Sequence, residues 1–203
     1  MSQILSLFNL TMQQDCFGLN ETTPKLATGM DRDIKLLKEI AKGDGEAFSE
    51  FIGKWKKPIY AFFLRSLFNH ADAEDLTQSF FYRIFRAAGS FKPKAKVSTW
   101  LFTIARNLLI DHLKKCSRRP KEAMLPEFEI ADEGNSNVDE WHEILSNELK
   151  KLPENHRTAL LLRVQQEWSY QEIAEIMKAS DSNVKTWIYR ARTVLKKVIK
   201  PQI

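Results

Sequence analysis

The sequence predicts an all-α protein: two small helical domains joined by a flexible acidic linker. Three observations predict it. Glycine and proline are scarce, seven of each in 203 residues, and the long stretches between them suit helices better than many short strands. Apolar residues recur at three- and four-residue spacing in both halves of the chain. Between those halves, residues 120–137 combine Pro120, Pro126 and Gly134 with Glu122, Glu127, Glu129, Asp132 and Glu133, a linker composition.

The elements follow in order. Residues 1–30 are polar and weakly patterned and read as a disordered N-terminal arm. The first domain spans 31–119. Its opening helix carries Ile34, Leu37, Ile40 and Ala41, and Gly43 and Gly45 end it. A second helix carries Phe48, Phe51, Ile52 and Trp55. Further helices are expected over 58–68, 72–88 and 98–115, divided by Asn69-His70 and by residues 89–97.

The second domain spans 138–203. Leu152-Pro153 places a proline at a first helical turn, where its missing N–H costs nothing. Ser169-Tyr170-Gln171-Glu172 has the form of a capping box, in which the serine hydroxyl and the glutamate carboxylate each bond the other's amide. The short helix that follows turns Ile173, Ala174 and Met177 inward. After the turn Lys178-Ala179-Ser180-Asp181, either Ser180 or Asp181 can cap a last helix whose buried stripe is Val184, Ile188, Ala191 and Leu195.

Composition excludes several classes of function. No segment approaches the roughly 20 apolar residues of a membrane span, and no Lys or Arg precedes Lys25, so the basic start of a secretory signal is missing. A cytoplasmic location without membrane insertion is expected. Cys16 and Cys116 have no metal-ligand spacing and give no disulfide framework. His142-Glu143 is followed by Ser146, not by a second histidine, and the Asp111-His112 pair supplies two ligands at most. No metal, cofactor, small-molecule substrate or catalytic site is therefore expected; Asp111 and His112 read as stabilising their helix or touching DNA.

Two patches point to nucleic acid. A short helix, a tight turn and a longer helix make a helix-turn-helix, whose second helix can enter a major groove. Its outward face carries Ser182, Asn183, Lys185, Thr186 and Tyr189. No acidic residue follows Asp181, whereas Lys185, Arg190, Arg192, Lys196, Lys197 and Lys200 do, which is a phosphate-binding footprint. In the first domain, the basic loop Phe91-Lys92-Pro93-Lys94-Ala95-Lys96-Val97 leads into a helix with Trp100, Ile104 and Leu108 on a core-like stripe and Thr103, Arg106 and Asn107 on another face. Aromatics beside phosphate-binding cations suit bases already out of the duplex.

The run DAEDLTQSFFYRIFRA, followed at its spacing by STWLFTIARNLLIDHLKK, resembles region 2 of bacterial sigma factors. LPENHRTALLLRVQQEWSYQEIAEIMKASDSNVKTWIYRARTVLKK resembles region 4. Their order, with a short linker and no intervening region 3, is similar to the extracytoplasmic-function (ECF) group, and the likeness covers about residues 31–119 and 138–199. It implies a non-catalytic initiation factor whose partners are bacterial core RNA polymerase and promoter DNA. Many members are held inactive by an anti-sigma factor, and nothing in the sequence identifies one here.

By that resemblance Asp72, Glu74, Asp75, Leu76 and Gln78 bind the largest polymerase subunit. Phe91, Lys92, Lys94 and Lys96, with Trp100, Thr103, Arg106 and Asn107, hold the minus-10 strand. Ser182, Asn183, Lys185 and Thr186 read the minus-35 element, with Arg190 and Arg192 on phosphates. Trp187 stands where the family usually has arginine and is assigned to the helix-turn-helix core or to DNA sugars. The acidic linker is expected to thread the RNA-exit path. Met30 opens a family-like start, which makes it an alternative translation start. The competing reading is a helix-turn-helix regulator binding duplex DNA without polymerase; it leaves the acidic helix and the Phe91–Val97 loop without a role.

Overall fold

The computed structural model describes residues 30–92, 96–118, 136–166 and 168–199. Residues 1–29, most of the linker and Lys94 lie outside the described residues. Within them the chain is all-helical, with eight α-helices, one 3-10 turn and no strand. The helices are α1 (Met30–Ile40), α2 (Gly45–Leu67), α3 (His70–Ala87), α4 (Val97–Ser117), α5 (Ser136–Lys151), α6 (Glu154–Gln166), α7 (Tyr170–Met177) and α8 (Asp181–Ile199). They belong to two compact units, one built on α1–α4 and the other on α5, α6, α8 and the start of α7.

In the first unit α2 is the axis, packed against α1, α3 and α4. Gly43, at φ +91°, ends α1, while Gly45 already belongs to α2. Asp44 caps α2 by accepting from the amides of Glu46 at 2.9 Å and Ala47 at 3.0 Å. The break expected at residue 58 is absent, because α2 runs on through Pro58. An interior proline costs a helix about 3 kcal/mol. Here the apolar face that begins with Phe51 and Trp55 continues as Ile59, Phe62 and Phe63, all fully buried, and each such side chain contributes about 1.5–3 kcal/mol. Burial outweighs the local penalty.

Phe68, in the left-handed region at φ 55°, closes α2 with its amide on the Leu64 carbonyl. Asn69 then caps α3, accepting from the Asp72 amide at 2.9 Å. The α2–α3 junction is thus two residues long, and it fixes where α3 begins. The core is aromatic: Phe62 meets Phe102 edge-on with centroids 5.5 Å apart, and Phe51, Trp55, Phe63 and Phe80 are sealed from solvent. Lys54 donates to both oxygens of the buried Asp33 at 2.7 and 2.8 Å, pinning α1 to α2.

The stripe expected on α4 is corrected. Trp100 and Ile104 are only half-buried, and the core face is Val97, Leu101, Phe102, Ala105, Leu108 and Leu109. Two apolar faces compete on this helix, and the one carrying more apolar side chains turns inward.

In the second unit α6 packs on α8, with α5 also against α8. Apart from Trp168 its core is aliphatic, built from Leu149, Leu152, Leu160, Leu161, Leu162 and Ile173 with Val184, Ile188, Ala191 and Leu195. The expected α8 stripe is present in full. Pro153 sits just ahead of α6, its carbonyl accepting from the Arg157 amide at 3.0 Å. No helix of the described residues is long and apolar enough to cross a membrane.

Candidate polymerase and DNA interfaces

α3 carries the acidic patch. Glu74, Asp75 and Gln78 are exposed, Asp72 is half-buried and Leu76 is buried at 8 % exposure among the core residues. Asp72 and Glu74 sit in or near the first turn, where a negative charge suits the positive helix end. Helical spacing puts Glu74, Gln78, Tyr82 and Phe85 on one side of α3. Tyr82 is 62 % and Phe85 44 % exposed, so the acidic face runs into an aromatic one. Arg86 lies 5.9 Å from the centroid of Tyr82, and Phe48 of α2 meets Phe85 at 5.2 Å.

Two polar links tie this helix to α4. His112 Nε2 lies 3.5 Å from Asp72 Oδ2, and Arg83 lies 3.9 Å from Asp111. Cys116 Sγ lies 3.3 Å from the same His112 nitrogen. Asp111 and His112 therefore bridge helices. Among the described residues no group of three His, Cys, Asp or Glu side chains is arranged to hold a metal ion.

At the start of α4, the Phe91 and Trp100 rings stand 5.2 Å apart and tilted by 59°. Both are half-buried, with Lys92 and Lys96 exposed beside them. An aromatic pair left partly open next to ammonium groups offers a stacking surface with phosphate partners within reach. Arg106 and Asn107 are half-buried two turns further on; Thr103 is half-buried as well and donates its hydroxyl to the Thr99 carbonyl at 2.7 Å. The failure of the Trp100 stripe to enter the core is what keeps this ring accessible.

The helix-turn-helix is built by its caps. The Glu172 amide donates to Ser169 Oγ at 3.2 Å, and the Ser169 amide donates to Glu172 Oε2 at 2.9 Å. The turn closes with Lys178 at φ 50° and the Ala179 amide on the Ala174 carbonyl at 3.0 Å, the six-to-one bond of a Schellman motif. Of the two candidate caps for α8, Ser180 takes the role, accepting from the Asn183 amide at 3.2 Å. Ser182, Asn183, Lys185, Thr186, Tyr189 and Arg190 are exposed, while Trp187 and Arg192 are half-buried.

Around that helix lies a set of contacts that the residue pattern did not suggest. Tyr170 has Arg163 5.2 Å from its ring centroid and Lys185 5.7 Å from it. Lys185 also pairs with Asp181 at 2.6 Å, and this hydrogen bond and charge raise the lysine's pKa. The i,i+4 spacing of Asp181 and Lys185 was the available signal. Further back, Arg157 donates to the Leu149 and Lys150 carbonyls at 3.3 and 3.4 Å, closing the end of α5. Burial lowers the pKa of His156, and Arg190 adds to it.

The geometry gives two helical units, one with an acidic and aromatic exposed helix, the other a capped helix-turn-helix whose second helix is basic. Residues 51–119 match the family model for sigma-70 region 2, and residues 142–195 match that for sigma-70, region 4. The chain belongs to the sigma-70 family of RNA polymerase sigma factors, non-catalytic subunits that direct promoter recognition by the polymerase. Within it the chain is of the ECF type. It is 32 % identical over 185 residues to the ECF RNA polymerase sigma factor SigW of Bacillus subtilis, covering 82 % of this chain and 96 % of that protein. With the RNA polymerase sigma-H factor of Pseudomonas aeruginosa it shares 29 % identity over 184 residues, covering 84 % and 95 %. The fold is also that of the sigma factor RpoE solved with the anti-sigma factor NepR from Bartonella quintana, with a TM-score of 0.64 at 24 % identity, covering 77 % of this chain and 98 % of that one.

Proposed function

We propose that the three exposed surfaces divide the work of initiation. The α3 face, with Asp72, Glu74, Asp75 and Gln78, docks on the largest polymerase subunit, while buried Leu76 holds the helix in place. The Phe91–Trp100 pair, with Lys92, Lys94, Lys96, Thr103, Arg106 and Asn107, receives minus-10 bases that leave the duplex. Unstacking costs a few kcal/mol per step, and stacking on an aromatic returns about 1–3 kcal/mol per base, so strand separation needs no fuel. On the minus-35 element, Ser182, Asn183, Lys185 and Thr186 face base edges and Arg190 and Arg192 face phosphates, with Trp187 alongside against sugars or the helix-turn-helix core.

The observation that carries this reading is the helix-turn-helix held by the Ser169/Glu172 box and the Ser180 cap, which leaves the polar face of α8 open. The protein works in the cytoplasm, and an anti-sigma protein is its second partner, as NepR is for the RpoE structure. We assign residues 31–119 and 138–203 as the two working domains and 120–137 as the linker between them.

The test adds the protein to sigma-free bacterial core polymerase with genomic DNA fragments and maps transcript 5′ ends. Discrete, protein-dependent starts with shared motifs about 10 and 35 bases upstream, within a few helical turns, are expected. Asp75→Arg should lower polymerase affinity about tenfold or more, since like-charge juxtaposition at an interface is costly. Protein-dependent starts in full with that variant would remove α3 from the interface. No starts, with tight operator binding by the protein alone, would point to a stand-alone regulator.

A further inference from the structure

The first turn of α8 contains a restraint on its own lysine. Lys185 lies one turn after Asp181 and pairs with its Oδ2 at 2.6 Å. The same ammonium sits against Tyr170, whose ring also carries Arg163, and Arg163 is in turn fixed by donating to the Trp168 carbonyl. Asp181 Oδ1 is shielded from solvent and has no hydrogen-bond partner. No acidic residue follows Asp181 in the sequence, so α8 carries a single carboxylate, and it engages the first cation of the reading face.

Sequence-independent binding to DNA scales with the number of phosphates that cations neutralise. A lysine occupied by its own helix is withdrawn from that number, and a carboxylate at the same end repels phosphate. The pair is exposed, 58 % for the lysine and 38 % for the aspartate. Exposed pairs are weak, so the restraint biases the lysine without locking it.

We propose that Asp181 restrains Lys185 and thereby weakens sequence-independent duplex binding by the protein when no polymerase is attached, the lysine being released when α8 seats on a promoter. The proposal rests on the reading that α8 meets duplex DNA. It gives Asp181 a positioning role: a sigma factor gains nothing from a strong grip on random DNA, and this carboxylate reduces that grip without removing the lysine from the promoter complex.

The experiment measures binding of the full chain, without polymerase, to a duplex of random sequence across a salt series. The variants are Asp181→Asn, Lys185→Ala and the double substitution, with Asp181→Ser as a second charge-removing variant suited to a helix start. Circular dichroism checks that each is folded. Asp181→Asn should tighten binding about two- to fivefold at low salt and steepen the log–log salt slope by up to about 0.9. In the Lys185→Ala background the same change should have less than about half that effect. Equal tightening in both backgrounds would reduce Asp181 to one negative charge among others and overturn the proposal, as would no tightening in either. Transcription starts mapped with the same preparations separate the two levels. Starts that persist beside an inert Asp181→Asn sink the restraint alone, whereas no starts and no duplex binding by any variant sink the reading beneath it as well.

Discussion

The two units use the same helical vocabulary and stabilise it differently. The first is held by tertiary contacts: an aromatic core in which Phe62 meets Phe102, and the ion pairs Asp33–Lys54, Arg32–Glu50 and Arg83–Asp111, which join different helices. The second buries aliphatic side chains and shapes its site with local devices, the Ser169/Glu172 box, the Ser180 cap and the Lys178 turn. The first unit thus mounts its exposed acidic and aromatic face on a deep core. In the second unit the exposed polar helix α8 starts at a side-chain cap, Ser180, next to a turn closed by Lys178.

That contrast can be broken or sharpened by substitution. Phe62→Ala should cost the first unit about 3–5 kcal/mol, read by chemical denaturation of the full chain with a probe in each unit. A second-unit transition that moves equally would show the units to be one cooperative body. Next in size, Asp33→Ala leaves Lys54 facing a vacated, buried position and should cost about 2 kcal/mol, measured the same way; Asp33→Asn should recover part of it. A loss below about 0.5 kcal/mol, the range of surface changes, would move the weight of the first unit wholly onto its apolar core.

In the second unit the effects are smaller and local. Ser169→Ala should cost about 1 kcal/mol, seen as a lower Tm and as faster amide exchange in α7. Unchanged exchange there would mean that α8 packing, not the cap, places the helix-turn-helix. Smallest of all, Lys178→Gly should stabilise by about 0.5–1 kcal/mol, because glycine meets φ 50° without a Cβ penalty. A destabilising Lys178→Gly would show that the lysine side chain contributes more than its backbone strain takes away.

The sequence made the second unit more legible than the first, for the reason that distinguishes them. Capping boxes, turns and a four-residue stripe are local signals, and Ser169, Glu172, Val184, Ile188, Ala191 and Leu195 sit as their spacing says. The first unit depends on contacts distant in sequence. Pro58 reads as a helix boundary because its own chemistry says so, and only the buried face on either side of it overrules that. Trp100 reads as core because helical periodicity cannot rank two apolar faces on one helix. Of the α3 residues that the family resemblance points to, Leu76 is buried while Glu74, Asp75 and Gln78 are open. Tyr82 and Phe85, four and seven residues beyond Gln78, share the face that spacing alone could have extended.

The acid-free stretch of α8 beyond Asp181 carries a consequence for how such a molecule spends its time. Bulk DNA is a vast reservoir of weak sites, and sequence-independent binding to it strengthens with each phosphate that a cation neutralises. A factor parked on random sequence is one that core polymerase must wait for. On the proposed reading of α8, each added cation would tighten its hold on promoter and random duplex alike, and so slow the search that brings it to a promoter.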